Sequence, residues 1–508
     1  MEHHNDAQQH TEHLRPRIHY TPAANWMNDP NGCIYHENRY HLFYQYNPNG
    51  SEWGSIHWGH AASRDLLHWE QQDTAIFPDP RFGIIFSGSA VYDRDNSSGL
   101  FAGTPGLAAI YTTHREAVDG RVGGSDPAHA AQPLEQQCLS YSTDGGANWI
   151  PYPDNPILPN PGYRNFRDPK VLYHEETRAW VMVVSAGTTL LLYRSANLLD
   201  WNHCGTIESS WLYPDTTAMG PETPLECPQL IRLDGPDGSP LWVLIYSIMD
   251  PAVTSHAPTY YRFGTFDGWS FRPLRSPGGN GCHAPRVLDH GRDFYAVQAW
   301  EGEVPGKRPI LTAWANNWAY ARTVPTAPWR GVMSLPRELS AAETGGCLFL
   351  RQQPAALESA KAAALPEAAI GTPVPLQGDR ACDLQLTLLD HTLGTAAITF
   401  TTDAGEQVKL LWDGRSTEII LDARSLAGSS FHADYNQPLR VPVPGPVLAS
   451  ASHLAMRVLL DRSILEIFLQ DGLLVMTNQL FPRGSWKSVT ISLEGGVRAA
   501  DLNIDELE

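Results

Sequence analysis

Five segments of the chain repeat one pattern, in which a polar residue and a proline or glycine precede a short apolar run typical of a β-strand. They begin at Asp29 (DPNGCIYH), Ser87 (SGSAVYD), Asp168 (DPKVLYH), Glu226 (ECPQLIRL) and His283 (HAPRVLDH). The intervals are 58, 81, 58 and 57 residues, and the long one contains a polar segment from His114 to Gln137 that predicts an inserted loop. A unit of this size holds about four short strands, which is the content of one propeller blade. The repeat therefore predicts an all-β fold with a five-bladed β-propeller.

The repeat ends near residue 340, so we assign residues 14–340 to the propeller. Residues 341–370 are rich in alanine between prolines and predict a linker with room for one helix. Residues 371–508 contain short β-rich runs separated by turn residues, which predicts a β-sandwich domain. The polar, unpatterned residues 1–13 predict a disordered tail.

Composition excludes several classes of partner. The formal net charge of −19 argues against nucleic acid and anionic membranes, because both require a basic surface. The seven cysteines are odd in number and form no C-x-x-C pair, so we predict reduced thiols, no disulfide framework and no metal site. The chain shows no secretory segment and no apolar run long enough to span a bilayer. These features predict a cytoplasmic protein, with a secreted form whose signal has been removed as the alternative.

Three of the repeated segments carry a carboxylate at the same position of the pattern. Inner strands of a propeller line one central channel, so Asp29, Asp168 and Glu226 are expected to share a pocket. A single Asp-Pro pair is more often a turn, but gathering three carboxylates costs repulsion and desolvation that a structural site avoids. Two carboxyl groups are the minimum for glycoside hydrolysis, one ionised and one protonated. Asn28 can donate to Asp29, Glu226 better suits the acid, and Arg167 is expected to hold Asp168 ionised.

The segments NWMNDPNG, HLFYQYNPNGSEWG, FSGSAV, FRDPKV, ECPQL, DFYAVQAW and PWRGVMSLPREL resemble, in order, the conserved blocks of glycoside hydrolase family 32. This family includes invertases, exo-inulinases and exo-levanases, and the resemblance implies a five-bladed propeller followed by a β-sandwich. It implies that Asp29 is the nucleophile, Glu226 the general acid and base, and Asp168 the transition-state stabiliser. It also implies fructose-binding roles for Asn28, Gln45, Trp53, Phe86, Ser87, Arg167, Tyr295 and Trp314.

The resemblance further implies a retaining reaction through a covalent fructosyl-enzyme, with the two reacting carboxyls about 5–5.5 Å apart and no metal or organic cofactor. The expected substrates are sucrose and fructo-oligosaccharides. The alternatives are a fructosyltransferase, an exo-levanase or exo-inulinase acting on polymeric fructan, and a non-catalytic fructan-binding protein. In the sandwich, Asp461 and Glu466 are predicted to be surface strand residues without a catalytic role.

Overall fold

The computed structural model describes residues 12–116, 134–213, 223–249, 259–275, 282–306, 308–357, 363–364, 369–449 and 452–507. These residues are almost entirely β-structure, which confirms the predicted fold class. The helical segments among them are short: 3₁₀ turns at Glu12–Leu14, Glu175–Thr177, Ser209–Trp211, Ala321–Thr323 and Ala427–Phe431, and one α-helical turn at Gly445–Leu448. Residues 1–11 of the predicted tail lie outside the described residues.

Five mainly antiparallel sheets follow one another along the first 354 residues. Blade one contains β1 (Asn25–His36), β2 (Arg39–Asn47), β3 (His57–Ser63) and β4 (Trp69–Gln71). Blade two contains β5 (Ile84–Asp93), β6 (Gly106–Arg115), β7 (Leu134–Ser142) and β8 (Ile150–Pro151). Blade three contains β9 (Phe166–His174), β10 (Ala179–Ala186), β11 (Thr189–Ser195) and β12 (Asn202–Ile207). Blade four contains β13 (Leu225–Asp234), β14 (Pro240–Ile248), β15 (Thr259–Phe266), β16 (Phe271–Pro273) and β17 (Arg286–Val287). Blade five contains β18 (Tyr295–Ala299) and β19 (Ile310–Trp314), followed after β20 (Trp329–Arg330) by β21 (Arg337–Thr344) and β22 (Cys347–Pro354).

The five sheets close into a ring. The first strands of successive blades contact one another, from β1 through β5, β9 and β13 to β18, and β18 contacts β1 again. In addition, β20 runs parallel to β1 and pairs Trp329 with Asn25, so a late segment completes the edge of the first blade. This arrangement is the one expected for a five-bladed β-propeller.

The fifth blade differs from the sequence prediction at both ends. Its inner strand begins at Tyr295, whereas the segment at His283 supplies β17, which pairs with β15 at the edge of blade four. Strands β21 and β22 extend the fifth sheet to Pro354, past the boundary predicted at residue 340. The apolar pattern around residue 283 was strand-like, but pairing rather than local pattern decides to which blade such a strand belongs.

The C-terminal part contains two six-stranded sheets with their apolar faces in one core. One sheet has the order β23 (Ala363–Ala364), β34 (Arg498–Leu507), β25 (Ala381–Leu389), β30 (His453–Asp461), β31 (Ile464–Leu469) and β32 (Leu474–Gln479). The other has the order β24 (Val374–Pro375), β33 (Trp486–Glu494), β26 (Thr395–Thr402), β27 (Gln407–Asp413), β28 (Glu418–Asp422) and β29 (Leu439–Pro442). Alternate residues such as Leu384, Leu386 and Leu388 point into the core, as expected for a sandwich. Of the predicted linker helix, residues 358–362 and 365–368 lie outside the described residues.

A buried network of charges joins the sandwich to the propeller. Arg337 on β21 forms ion pairs with Glu466 on β31 (3.2 Å) and Asp289 (2.9 Å). The ring of His19 lies 2.9 Å from Asp461 and 3.5 Å from Glu466. All five side chains are fully buried. The prediction that Asp461 and Glu466 are surface residues is wrong, because this part of the sandwich faces the propeller.

The network makes stability depend on pH through His19. Burial lowers the pKa of His19, but hydrogen bonds to Asp461 and Glu466 outweigh it and raise the pKa from 6.5 to about 9. A pKa raised on folding contributes stability that is complete below the unfolded value and is lost as the pH rises through the folded one. We expect the free energy of unfolding to fall between pH 6.5 and about 9, and His19→Gln to flatten this part of the profile. Chemical denaturation of both proteins across this range measures the slopes, and equal slopes would contradict the prediction.

A disulfide bond links Cys282 to Cys347, whose Cα atoms are 5.1 Å apart. The prediction that all seven thiols are reduced is therefore wrong for this pair. The two residues are 65 positions apart in the chain and are brought together because β17 and β22 belong to adjacent blades. Cys33, Cys138, Cys204, Cys227 and Cys382 are free.

Candidate active site

Each of the five inner strands is interrupted near its start by a β-bulge, where two residues oppose one on the neighbouring strand. The last paired residues before the bulges are Met27, Ile85, Arg167, Glu226 and Tyr295. Pairing resumes at Pro30, Gly88, Lys170, Gln229 and Gln298. Bulges redirect side chains and recur next to active sites, so this repeated feature is where a pocket is expected.

The three predicted carboxylates lie at these bulges but not at equivalent positions. Asp29 is the second unpaired residue of its bulge, Asp168 is the first, and Glu226 is the last paired residue before its bulge. The prediction that the three share one position of the repeat is therefore wrong. Relative to its bulge, Asp168 lies one residue earlier than Asp29, and Glu226 lies one residue earlier than Asp168. The backbone at Asp168 and Cys227 has a left-handed φ of 65° and 50°, which turns the strand locally. The stagger and the local turns bring all three carboxylates to one pocket.

Asp29 is held by several side-chain donors. Asn28 Nδ2 donates to Oδ1 at 2.9 Å, while Ser87 Oγ (2.7 Å) and Gln45 Nε2 (3.2 Å) donate to Oδ2. Gln45 lies on β2 opposite the bulge and also donates to Ser87 at 2.7 Å, which orders the set. Burial raises the pKa of Asp29, and the hydrogen bonds from Ser87 and Asn28 oppose that shift. Donors of this kind stabilise an ionised carboxylate.

Glu226 is fixed by groups from the neighbouring blades. Arg167 donates to Oε1 through Nε (3.0 Å) and Nη2 (2.7 Å), and the Tyr295 hydroxyl donates to Oε2 at 2.5 Å. Tyr295 belongs to blade five and Arg167 to blade three, so Glu226 is held from both sides. This geometry fixes the orientation of the carboxyl group.

Asp168 has a different environment from the one predicted. Its Oδ2 accepts the backbone N–H of Cys227 at 2.9 Å, whereas Arg167 turns away to Glu226. Burial and the charge of Glu226 raise the pKa of Asp168 to about 8, and the charge of Arg167 lowers it only in part. The expectation that Arg167 holds Asp168 ionised is therefore wrong. The Cys227 thiol lies 3.6 Å from both Asp168 and Asp29, so these two carboxylates are close neighbours.

The pocket has a volume of about 280 Å³. Of the predicted residues, Asn28, Asp29, Gln45, Trp53, Phe86, Arg167, Asp168 and Glu226 line it. Trp53 and Phe86 form an aromatic wall with ring centroids 6.2 Å apart. Ser87 and Tyr295 lie just behind this lining, because they bind Asp29 and Glu226 directly.

Trp314 is not among the residues that line the pocket. It is fully buried and packs 4.8 Å, between ring centroids, from Trp318, which does line the pocket. Trp314 therefore supports the wall from behind, and its predicted direct contact with fructose stays a prediction.

Six further pocket residues were not predicted: His114, Glu135, Asn165, Met249, Trp318 and Arg322. His114 begins the polar segment that predicted a loop and Glu135 lies near its end at Gln137, and in the structure the two face each other across β6 and β7. A signal was present, since the alternating run LEQQCLSYS before Trp149 is strand-like. Reading it as strand would have placed Glu135 near the pocket.

Comparison with known proteins identifies the family. Residues 19–354 match the N-terminal domain of glycosyl hydrolases family 32, and residues 350–506 match the C-terminal domain of that family. A levanase from Bacillus subtilis (strain 168) is 36% identical over 526 residues, covering 99% of this chain and 72% of the levanase. An extracellular exo-inulinase from Aspergillus niger is 33% identical over 520 residues, covering 97% of this chain and 94% of the inulinase.

Solved structures give the same result. The crystal structure of an exo-inulinase from Aspergillus awamori superimposes with a TM-score of 0.82 at 30% identity, covering 97% of this chain and 98% of the inulinase. A β-fructofuranosidase from Schwanniomyces occidentalis, complexed with fructosyl-erythritol, gives 0.79 at 28% identity and covers 97% of each chain. The predicted resemblance is confirmed: the chain belongs to glycoside hydrolase family 32 and is a fructosyl-releasing glycosidase.

Proposed function

We propose that this chain is a retaining exo-acting β-fructofuranosidase with Asp29 as nucleophile, Glu226 as general acid and base, and Asp168 as the group that binds fructosyl hydroxyls. The observation that carries the proposal is the unequal environment of two carboxyl groups in one pocket. Asp29 is surrounded by neutral donors, whereas Glu226 is clamped by Arg167 and a tyrosine hydroxyl. Glycosidases require this division between two carboxyl groups.

In the first step, a carboxylate oxygen of Asp29 attacks the anomeric carbon and the bond to the glycosidic oxygen breaks. That oxygen keeps the electron pair and takes the proton of Glu226, so the leaving group departs as an alcohol. In the second step, ionised Glu226 removes a proton from water, whose oxygen attacks the anomeric carbon and releases Asp29. Both residues return to their starting states, and the configuration is retained after two inversions.

The size of the pocket supports release of one terminal unit at a time. Its volume of about 280 Å³ lies at the lower end of small-ligand clefts, which are about 300–1,000 Å³. The aromatic wall of Trp53 and Phe86 suits the apolar face of a sugar ring, while Asn28, Gln45 and Asp168 suit its hydroxyls.

For the substrate we propose sucrose and fructo-oligosaccharides, with polymeric fructan as the second candidate. The second candidate is favoured by the levanase and exo-inulinase relatives, which match nearly the whole of this chain. A fructosyltransferase would use the same covalent intermediate but transfer it to a sugar instead of water.

Chromatographic analysis of the products from sucrose, kestose, inulin and levan tests the proposal. We expect fructose to be the only small product that accumulates from inulin and levan, and glucose with fructose from sucrose. Oligomers longer than the substrate would favour transfer, and a ladder of internal fragments from inulin would contradict exo-action. A Glu226→Gln preparation purified in parallel controls for contaminating hydrolases.

For the location we propose the cytoplasm, with a secreted form as the alternative. Among the described residues, no helix combines the length and apolar character needed to cross a membrane. Relatives such as the Aspergillus niger exo-inulinase are named extracellular, which favours the alternative of a secreted form. Activity measured separately in culture medium and in cell lysate distinguishes the two locations.

A further inference from the structure

Glu135 is a buried carboxylate in the pocket to which the proposed mechanism gives no role. It lies on β7 at the end of the segment predicted as a loop, and its side chain is 5% exposed. Burying a carboxylate is costly unless it is paired, so its partners indicate what it does.

Glu135 and Glu226 share one arginine. Arg167 Nη1 donates to Glu135 at 3.1 and 3.4 Å, while Nε and Nη2 of the same guanidinium donate to Glu226. Asn165 also accepts from Nη1 at 2.7 Å. The planar guanidinium has a fixed fork of donors, so a contact on one edge sets the direction of the other. By binding one edge of the Arg167 guanidinium, Glu135 therefore orients the other edge, which binds Glu226.

Glu135 also connects to the aromatic wall. The Nδ1 atom of His114 lies 3.2 Å from Glu135 Oε1, and the His114 ring stacks on Phe86 with centroids 4.4 Å apart and planes 18° from parallel. His114 and Glu135 are directly paired across β6 and β7. Glu135 thus contacts both Arg167, which binds Glu226, and His114, which stacks on Phe86. Burial raises the pKa of Glu135, but His114 and Arg167 outweigh burial and lower it, so Glu135 is ionised.

Resting on the proposed function, we propose that Glu135 is a positioning residue that balances the charge of Arg167 and orients the guanidinium edge that binds the acid Glu226. Without Glu135, the full positive charge of Arg167 would act on Glu226 and favour its ionised form. The charge on Glu135 offsets that effect through the shared guanidinium.

Several other ionisable groups face Glu226 and are unchanged by substitution of Glu135. They are Arg167 and Asp168 on β9, Asp29 on β1, Tyr295 on β18 and Cys227 on its own strand. The second ring nitrogen of His114, Nε2, lies 3.3 Å from Glu116 Oε1. Glu116 is 78% exposed in its side chain and is bonded to the same histidine, which makes it a matched control for Glu135.

The test is the pH profile of kcat/KM for sucrose in Glu135→Gln, Glu135→Asp and Glu116→Gln. We expect Glu135→Gln to move the basic limb of the profile to lower pH by about one unit. In this variant the charge of Arg167, which is hydrogen-bonded to Glu226, is no longer balanced by Glu135. Glu135→Asp retains the charge, so its basic limb should stay in place even if kcat falls. Glu116→Gln should leave both the limb and kcat unchanged. Thermal unfolding of each variant confirms that the pocket is folded.

An unmoved basic limb in folded Glu135→Gln, or an equal shift in Glu135→Asp, would overturn the proposal. If Glu135→Gln does not fold, the Glu135→Asp profile still decides, because a shifted limb there would show that charge is not what matters. Failure of the proposed function has a different signature, namely near-normal turnover in Glu226→Gln. The two outcomes are therefore distinguishable.

Discussion

Replacing Glu226 by glutamine is expected to lower kcat for sucrose by about 10²–10⁴-fold, the usual contribution of a general acid and base. Glutamine has the same shape and its Oε1 atom can still accept from Arg167, so the packing of the pocket is retained. What is lost is the proton for the leaving oxygen and, afterwards, the base that activates water.

A substrate pair makes the experiment specific to the acid. Sucrose needs a proton on its leaving oxygen, whereas a fructoside with a good leaving group does not. We expect the loss in Glu226→Gln to be much smaller for the first step with the activated fructoside, and Asp29→Asn to be inactive on both. Near-normal turnover of sucrose by folded Glu226→Gln would remove Glu226 from the mechanism. An equal loss on both substrates would assign it another role.

Replacing Arg337 by methionine is expected to lower the free energy of unfolding by about 3–5 kcal/mol, the cost of leaving a buried charge without its partner. Arg337 forms ion pairs with both Asp289 and Glu466. In the described part of this network the other cation is His19, which lies beside Glu466. The guanidinium of Arg337 also donates to Gln352 at 3.0 Å and Thr477 at 2.5 Å, so methionine leaves several acceptors unpaired.

Denaturant midpoints at neutral pH measure this effect, with Arg498→Met as the matched control. Arg498 on β34 also forms an ion pair, 2.8 Å from Asp390, but the two side chains are 65% and 59% exposed. An exposed pair contributes about 0–1 kcal/mol, so the control should change little. Equal shifts for the two variants would show that the buried network does not stabilise the junction. Activity below the transition should be retained, because Arg337 is not among the residues that line the pocket.

The repeat predicted most of the fold, because the length of the repeated unit indicates how many strands it holds even when the pairing of the strands is unknown. The repeat failed to predict which blade a strand joins, because that depends on its pairing. The segment at His283 has the sequence of an inner strand, but it adds to the edge of blade four, and the fifth inner strand starts at Tyr295. The sandwich could be recognised from its strands, whereas the burial of Asp461 and Glu466 depends on the propeller face against it.

The three carboxylates and the Asn28 donor to Asp29 could be predicted from the sequence, but the partners of Glu226 and Asp168 could not. Adjacency in the sequence predicted that Arg167 holds Asp168, but in the folded strand its side chain binds Glu226. Glu135 was missed because the whole polar segment was assigned to an inserted loop, although the run LEQQCLSYS at its end is strand-like. Trp314 could be chosen only by resemblance, and its burial behind Trp318 required the structure.

The contacts between the ends of the chain have a consequence for biosynthesis. His19 meets Asp461 only after 442 further residues have been made, and β1 lacks its neighbour β20 until residue 330 has emerged. At about 5–20 residues per second, the sandwich partner follows His19 out of the ribosome after roughly 20–90 s. Until β20 has emerged, the nascent first blade has an unpaired strand edge, which is a site for incorrect pairing with other chains. Correct folding of the first blade therefore requires that this edge stays free of other chains until residue 330 has been made.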